Sequence, residues 1–187
     1  MNYFEVFELP KLLGIDTKAL EKKFHELSRK FHPDYFSTAS ADEKSRALRM
    51  TALLNDAYRT LKHPTRRVEY LLSLYGFKAD GSKVPQSLLM EVFEINEQLE
   101  EIKMAGSTDS SQLQDLRREI QSKADLFVRE LNEAMNTWDA LIQSNATDQQ
   151  RRTHLTKISE ILSESAYIRN LEDEIENRQG HYFRGSN

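Results

Sequence analysis

Residues 17–43 read TKALEKKFHELSRKFHPDYFSTASADE, and this stretch decides the fold of the N-terminal part of the chain. Its apolar residues recur at the spacing of one buried helix face, at Leu20, Phe24, Leu27 and Phe31. Pro33 disfavours helical backbone in the residue before it, so a helix that begins near Thr17 should stop near Phe31. Ser40-Ala41-Asp42-Glu43 is a capping box that opens a second helix. The stretch therefore predicts a helical hairpin with His32-Pro33-Asp34 at its tip.

The outer face of the first predicted helix is basic. At about 100° per residue, Lys22 and Arg29 fall opposite the apolar stripe, and Lys23 and Lys30 lie on one flank. Most exposed charge is merely solvated and contributes little to stability. Here, however, the basic face leads straight into a turn that carries the carboxylate of Asp34. A positive surface beside a fixed carboxylate is suited to orienting an acidic protein partner.

The composition of the 187 residues favours a helical protein, with 39% hydrophobic and 30% charged residues but only 6 glycines and 4 prolines. The chain has no cysteine, which excludes disulfides, thiolate metal sites and cysteine nucleophiles. Its histidines lack a paired spacing such as His-Glu-x-x-His, so we expect no metal site and no cofactor. No apolar run approaches the roughly 18 residues of a membrane span, and the N-terminus lacks a signal-peptide pattern, so a cytoplasmic location is expected.

Charge divides the chain into two parts. Residues 1–84 carry 15 lysines and arginines against 11 acidic residues, a balance of +4, whereas residues 85–187 carry 11 against 19, a balance of −8. Such asymmetry indicates two modules that face different partners. Nucleic-acid binding through the basic helix is disfavoured, because no aromatic side chains interleave with its lysines and the acidic part would repel phosphate.

Helical periodicity continues along the chain and predicts an all-α fold. After the hairpin, whose second helix should span about residues 41–61, helices are predicted at 64–75, 87–103, 109–143 and 148–177. The last three should form an antiparallel three-helix bundle. The predicted domains are the hairpin domain at 1–76, a linker at 77–86, the bundle at 87–178 and a disordered tail at 179–187. We expect the hairpin domain to pack against the bundle.

Several motifs in the first 75 residues resemble those of a J domain. They are Tyr3-Phe4-Glu5-Val6-Phe7, the basic helix, His32-Pro33-Asp34, and Leu54-Asn55-Asp56-Ala57-Tyr58-Arg59-Thr60-Leu61 followed by Pro64, Arg67 and Tyr70. The resemblance implies docking onto an ATP-driven chaperone of the DnaK class and stimulation of its ATP hydrolysis. It implies that the trigger is His32, Pro33 and Asp34, and that the docking charges are Lys22, Lys23, Arg29 and Lys30. The ATPase chemistry would belong to the partner, so the chain itself is not expected to be an enzyme.

The helix predicted at 87–103 carries apolar residues on two sides. One side is the seam that faces the bundle core, with Leu88, Val92 and Ile95. The other side lies about 100–200° round the helix, and its bulky residues are Leu89, Met90 and Phe93. Acidic residues surround or extend that patch at Glu94, Glu97 and Glu101. The patch could be ordinary exposed apolar surface or could pack against the N-terminal module, but an apolar patch with an acidic border is typical of a protein-binding surface.

The whole chain resembles the HscB family, the J-type co-chaperones of iron–sulfur cluster biogenesis. The resemblance rests on Tyr3-Phe4-Glu5-Val6-Phe7-Glu8-Leu9-Pro10, on residues 67–77, and on Leu88-Leu89-Met90-Glu91 at the start of an acidic helical bundle. It implies that the bundle binds the cluster scaffold IscU and presents it to the chaperone HscA. The positions that match the family's scaffold-binding surface are Leu89, Met90 and Phe93, bordered by Glu94 and Glu97, with Tyr167 from the last helix.

An alternative is a J-domain protein that recruits a general DnaK-class chaperone to some other client. The chain departs from the family pattern at Phe93 and Tyr167, where relatives carry other apolar residues, and in the tail after Arg178. Some eukaryotic relatives add a cysteine-rich zinc segment at the N-terminus. This cysteine-free sequence has none, which indicates a bacterial-type form.

Overall fold

The computed structural model describes residues 1–36, 38–104 and 110–184, and this part of the chain is helical without a strand. The α-helices in it are α1 (Tyr3–Val6), α2 (Thr17–Lys30), α3 (Ala41–Lys62), α4 (Pro64–Leu74), α5 (Leu89–Met104), α6 (Ser110–Gln143) and α7 (Asp148–Arg184). Single turns of 3-10 helix occur at Pro33–Phe36 and Gln86–Leu88. The predicted all-α fold is confirmed.

The chain forms two compact units. The first contains Met1–Phe77 together with Met135–Arg151, and the second contains Lys78–Ala134 together with Arg152–Asn187. The turn between α6 and α7 therefore belongs with the N-terminal residues. The domains predicted from the sequence were 1–76, 77–86, 87–178 and 179–187. These limits remain predictions.

Side-chain caps fix the ends of the hairpin helices where the sequence placed them. Asp16 caps α2, because its Oδ1 accepts hydrogen bonds from the N–H groups of Lys18 at 2.9 Å and Ala19 at 3.1 Å. Ser40 and Glu43 form the predicted capping box at the start of α3. Hydrogen bonds from the Ser40 hydroxyl and N–H lower the pKa of the Glu43 carboxyl. These caps satisfy N–H groups that have no partner within the helix.

A left-handed residue ends α4 at the predicted glycine. The N–H of Gly76 donates to the Ser73 carbonyl at 3.2 Å, and the N–H of Phe77 donates to the Leu72 carbonyl at 3.0 Å. This pair of bonds is the Schellman motif, and Gly76 has the positive φ of 79° that the motif requires. Asn145 plays the same part after α6, with a φ of 51°.

A buried arginine, Arg67 of α4, binds backbone carbonyls in the first unit. Its Nε donates to the carbonyl of Leu61 at 2.7 Å, and its Nη1 donates to the carbonyl of Leu13. Burial lowers the pKa of the Arg67 guanidinium, and the charge of Asp139 opposes that shift. A buried cation is tolerated because its N–H groups have acceptors.

Two neighbouring residues of α6 hold the loop that precedes α2. The Asp139 carboxylate accepts hydrogen bonds from the N–H groups of Leu13 and Gly14, both at 2.6 Å. The indole of Trp138 is fully buried and donates to the Lys11 carbonyl at 2.8 Å. Trp138 lies in the range 109–143, which was predicted as a bundle helix, but it belongs to the first unit. Periodicity identifies a buried face and not the neighbours that bury it.

In the second unit, α5, α6 and α7 bury one apolar face each, and side-chain contacts join them in pairs. Lys123 of α6 binds Glu91 of α5 at 2.5 Å, Ser87 donates to Glu164 of α7, and His154 of α7 contacts the Ala134 carbonyl at 2.7 Å. The buried residues of α5 are Val92 and Ile95, after Leu88 in the preceding turn. Most of each of the three helices predicted for the bundle therefore lies in this unit, while the end of α6 and the start of α7 belong to the first unit.

The segment predicted as a linker lies along α7. The N–H of Asp80 donates to Ser163 Oγ at 3.0 Å, and Asn170 donates to the Gly81 carbonyl at 3.2 Å. A β-carbon at Gly81 would overlap the side chain of Ala166, so only glycine permits this close approach. The backbone of the segment makes these hydrogen bonds, and the polar side chains that bind it belong to α7.

The last helix is longer than the sequence indicated. The prediction ended it near residue 177 and made 179–187 a disordered tail, whereas α7 continues to Arg184. One glycine inside a helix costs only about 1 kcal/mol, so Gly180 does not have to end it. Residues 185–187 of the predicted tail lie outside the described residues. None of the helices in the described part of the chain combines the length and apolarity needed to cross a bilayer.

We expect Asp139→Ala to destabilise the first unit. The substitution leaves the two N–H groups of the loop without their charged acceptor, which should lower the free energy of unfolding by about 2 kcal/mol. Fluorescence of the single tryptophan, Trp138, during urea unfolding reports on this unit directly. Asp56→Ala is the matched control, because Asp56 makes only an exposed ion pair with Arg59 and should cost about 0.5 kcal/mol or less. Equal midpoints for the two variants would contradict the expectation.

Candidate functional site

The tip of the α2–α3 hairpin is a hydrogen-bonded turn. The N–H of His32 donates to the Arg29 carbonyl at 3.2 Å, and the N–H of Tyr35 donates to the His32 carbonyl at 3.0 Å. Thr51 of α3 donates its hydroxyl to the Phe31 carbonyl at 3.0 Å and so attaches the end of α2 to the neighbouring helix. The 3-10 turn that begins at Pro33 then carries the chain round to α3. The tripeptide is therefore presented in a defined conformation.

The Asp34 carboxylate is open to solvent, with 88% of its side chain exposed. Its Oδ2 lies 3.5 Å from Nδ1 of His32, and its backbone N–H donates to the same nitrogen at 3.3 Å. No lysine or arginine in the described part of the chain forms an ion pair with Asp34. The carboxylate is thus available to a cationic group of a partner.

The four predicted docking charges have different surroundings. Lys22 and Arg29 are exposed and form no ion pair within the residues described. Lys23 is bound to Glu8 at 2.6 Å, and this hydrogen bond lowers the pKa of the Glu8 carboxyl. The ammonium of Lys30 lies 5.6 Å from the centre of the Phe31 ring. The sequence did not predict this ion pair, because Glu8 lies 15 residues before Lys23, outside the periodic stretch.

A shallow depression of about 490 Å³ lies beside the turn. Its lining residues are His25, Ser28, Arg29, His32, Asp34 and Tyr35. Tyr35, which directly follows the tripeptide, is not among the site residues predicted from the sequence. The Tyr35 side chain is 74% exposed, and its ring stands nearly perpendicular to that of His32 at a centroid distance of 6.4 Å. The tip thus combines a carboxylate, two imidazoles, a cation and an aromatic ring.

The two-sided character predicted for α5 is present in the structure. Val92 and Ile95 are buried, whereas the patch residues are 51%, 71% and 63% exposed at Leu89, Met90 and Phe93. Glu94 and Glu97 are also exposed, and Met104 extends the apolar surface at the end of the helix. Large apolar side chains grouped on one helix face are a common feature of protein-binding surfaces.

Tyr167, the aromatic expected from the last helix, is half-buried on α7. It belongs to the same unit as α5. Within residues 1–36, 38–104 and 110–184 there is no cluster of three or more histidine, cysteine, aspartate or glutamate side chains placed to hold a metal ion.

Known proteins share both the sequence pattern and the fold. A family model described as the HSCB C-terminal oligomerisation domain matches residues 84–176. The solved structure of chaperone HscB from Vibrio cholerae is 28% identical, with 97% of this chain and 99% of that chain covered and a TM-score of 0.58. This chain belongs to the HscB family. The human co-chaperone protein HscB is also similar, at 25% identity over 96% of this chain and 82% of that chain, with a TM-score of 0.62.

HscB family membership confirms the resemblance that the sequence motifs indicated. It makes the chain a co-chaperone with a role in iron–sulfur cluster assembly, and HscB proteins are not in themselves an enzyme family. Chaperone and scaffold partners follow in general terms from the family. The residues that contact each partner remain predictions.

Exposure of the α5 patch predicts that it contributes little to folding. Replacing Leu89, Met90 and Phe93 together by alanine should change the free energy of unfolding by less than about 1 kcal/mol, because no buried cavity is created. Ile95→Ala on the buried face should cost about 2–5 kcal/mol. Urea unfolding followed by helical circular dichroism compares the two variants. A triple variant as unstable as Ile95→Ala would show that the patch is packed in the folded protein.

Proposed function

We propose that this chain binds an IscU-type scaffold protein and delivers it to a chaperone of the HscA or DnaK class, whose ATPase it stimulates. The observation that carries the proposal is the exposed apolar patch of α5, which lies within the segment that matches the HscB family. The chain would assist maturation and transfer of iron–sulfur clusters without catalysing a reaction itself. We place this activity in the cytoplasm.

Chaperone docking would use the tip of the hairpin. The Asp34 carboxylate is exposed and unpaired with any lysine or arginine of the described residues, so it can receive an arginine of the chaperone. Lys22 and Arg29 present open positive charge on the same helix, which suits an acidic surface and speeds association. Lys23 would contribute less than predicted, because Glu8 already neutralises it.

Scaffold binding would use the exposed face of α5. Leu89, Met90 and Phe93 supply apolar area that is in water in the free chain, and removing such area from water stabilises a complex by about 25 cal/mol per Å². Glu94 and Glu97 border the patch and favour a scaffold with basic residues round an apolar contact. Tyr167 would add an aromatic contact from α7.

The surface proposed for the scaffold and the surface proposed for the chaperone belong to one chain. A scaffold held on α5 is carried to the chaperone whenever the hairpin tip docks, so the second encounter becomes intramolecular and its effective concentration rises. Stimulation by the hairpin and delivery by the bundle should therefore reinforce each other.

A steady-state ATPase assay tests the proposal. HscA and DnaK are each measured with the chain alone, with an IscU-type scaffold alone, and with both. We expect the chain alone to stimulate one of them and the scaffold to increase that stimulation. Stimulation that never responds to the scaffold would favour the alternative, a J-domain protein that serves another client. Stimulation of neither chaperone would refute the proposal.

Asp34→Asn should abolish stimulation without affecting the fold. The variant keeps the shape of the side chain and loses its charge, and breaking a charge pair at an interface costs about 2–5 kcal/mol. We expect chaperone ATPase stimulation to fall to background in the steady-state assay, with an unchanged melting temperature. Asp56→Asn removes the charge of another exposed carboxylate, on α3, and as the control it should stimulate normally. Full stimulation by Asp34→Asn would remove the tripeptide from the mechanism.

The triple alanine variant of Leu89, Met90 and Phe93 should bind the scaffold at least about tenfold more weakly in calorimetric titration. Loss of interface anchors often costs more than about 2 kcal/mol each, and 1.4 kcal/mol already gives a factor of ten. The variant should stimulate the chaperone normally in the absence of scaffold. Leu126→Ala combined with Val128→Ala removes exposed apolar area from α6 and serves as the control. Wild-type affinity in the triple variant would show that the scaffold binds elsewhere.

A further inference from the structure

We infer that Tyr35 is a specificity-determining residue of the docking surface: its exposed ring forms an aromatic wall of the depression beside the α2–α3 turn, against which the guanidinium received by Asp34 would pack. The inference rests on the proposed function and adds to it a residue that determines specificity. Asp34 would supply the counter-charge, and Tyr35 would make the site prefer arginine to lysine.

The geometry leaves the Tyr35 ring available. The side chain is 74% exposed and lines the same depression as Asp34. Its ring stands at 81° to the His32 ring, so the two rings do not stack on each other. The hydrogen bond from its N–H to the His32 carbonyl fixes the backbone from which the ring projects. An open aromatic face is thus held next to an open carboxylate.

The chemistry of these two groups selects a guanidinium. A carboxylate binds a guanidinium through two parallel hydrogen bonds, and an aromatic ring attracts the same planar cation across its face. Lysine offers a compact, strongly hydrated charge that gains less from the ring. Arg29 and the imidazoles of His25 and His32 line the depression too, so an entering cation must rely on Asp34 to be held.

A purely structural role for Tyr35 conflicts with its exposure. A ring that packed the turn would be largely buried, as Phe4 and Phe7 are in the same unit. The turn is already held by backbone hydrogen bonds and by Thr51. Substitutions at Tyr35 should therefore leave the melting temperature within about 2 °C of wild type, since substitutions of exposed side chains usually change stability little.

Three substitutions at Tyr35 test whether the site needs an aromatic ring, any apolar side chain or no side chain. Tyr35→Phe should stimulate the chaperone like wild type, whereas Tyr35→Leu and Tyr35→Ala should each raise the half-maximal concentration about fivefold, which corresponds to about 1 kcal/mol. Leu48→Ala is the matched control, because Leu48 is an exposed apolar residue on α3 outside the depression. Normal stimulation by Tyr35→Ala, or equal stimulation by Tyr35→Leu and Tyr35→Phe, would overturn the inference.

Substitutions in the chaperone can identify the arginine that packs against Tyr35. Exposed arginines of the chaperone are changed one at a time to lysine and each variant is assayed with wild type and with Tyr35→Ala. We expect one Arg→Lys change to weaken the response to wild type at least about fivefold and to have a clearly smaller effect with Tyr35→Ala, because the contact with the ring is then already absent and only the paired hydrogen bonds to Asp34 remain to be lost. Losses that multiply at every arginine would overturn the inference.

Asp34→Asn distinguishes failure of this inference from failure of the proposed function. If wild type stimulates the chaperone and Asp34→Asn does not, but all Tyr35 variants behave like wild type, the aromatic wall is refuted and the proposed docking stands. If wild type itself stimulates no chaperone, the proposed function and this inference both fail.

Discussion

The backbone of Leu13 is held from both sides, and the N-terminal unit depends on this contact. Its N–H donates to Asp139 at 2.6 Å, and its carbonyl accepts a hydrogen bond from the buried Arg67. The Leu13 side chain is fully buried, and Leu13 lies three residues before Asp16, whose side chain caps the start of α2. The starting point of α2 is thereby fixed, and with it the line along which the helix reaches the tripeptide.

Stability and binding are assigned to different residues of the molecule. In the hairpin the stabilising contacts lie in the buried core, while Asp34 and Tyr35 at the tip are exposed. In α5 the buried face carries Val92 and Ile95, and the opposite face leaves Phe93 in water. Because each surface contributes little to folding, the requirements of the partner can determine which residues occupy it. Substitutions in these surfaces should therefore change binding without changing the fold.

Local rules of sequence determined most of the secondary structure and the candidate surfaces. The capping box of Ser40 and the left-handed Gly76 marked helix ends, because the bonds involved span only a few residues. The turn at Pro33 followed from the geometry of its ring. The exposed patch round Phe93 followed from helical periodicity, because residues five positions after Leu88 must face away from the seam.

Tertiary structure alone decided which distant groups meet. Trp138 lies in a predicted bundle helix, yet its indole donates a hydrogen bond to a carbonyl 127 residues earlier, in the first unit. Lys23 was predicted to be an exposed docking charge, yet it forms an ion pair with Glu8. Gly81 reads as linker, yet it lies against Ala166. Periodicity specifies only that a side is buried or exposed, whereas the identity of a contact across 15 to 127 residues depends on how the whole chain folds.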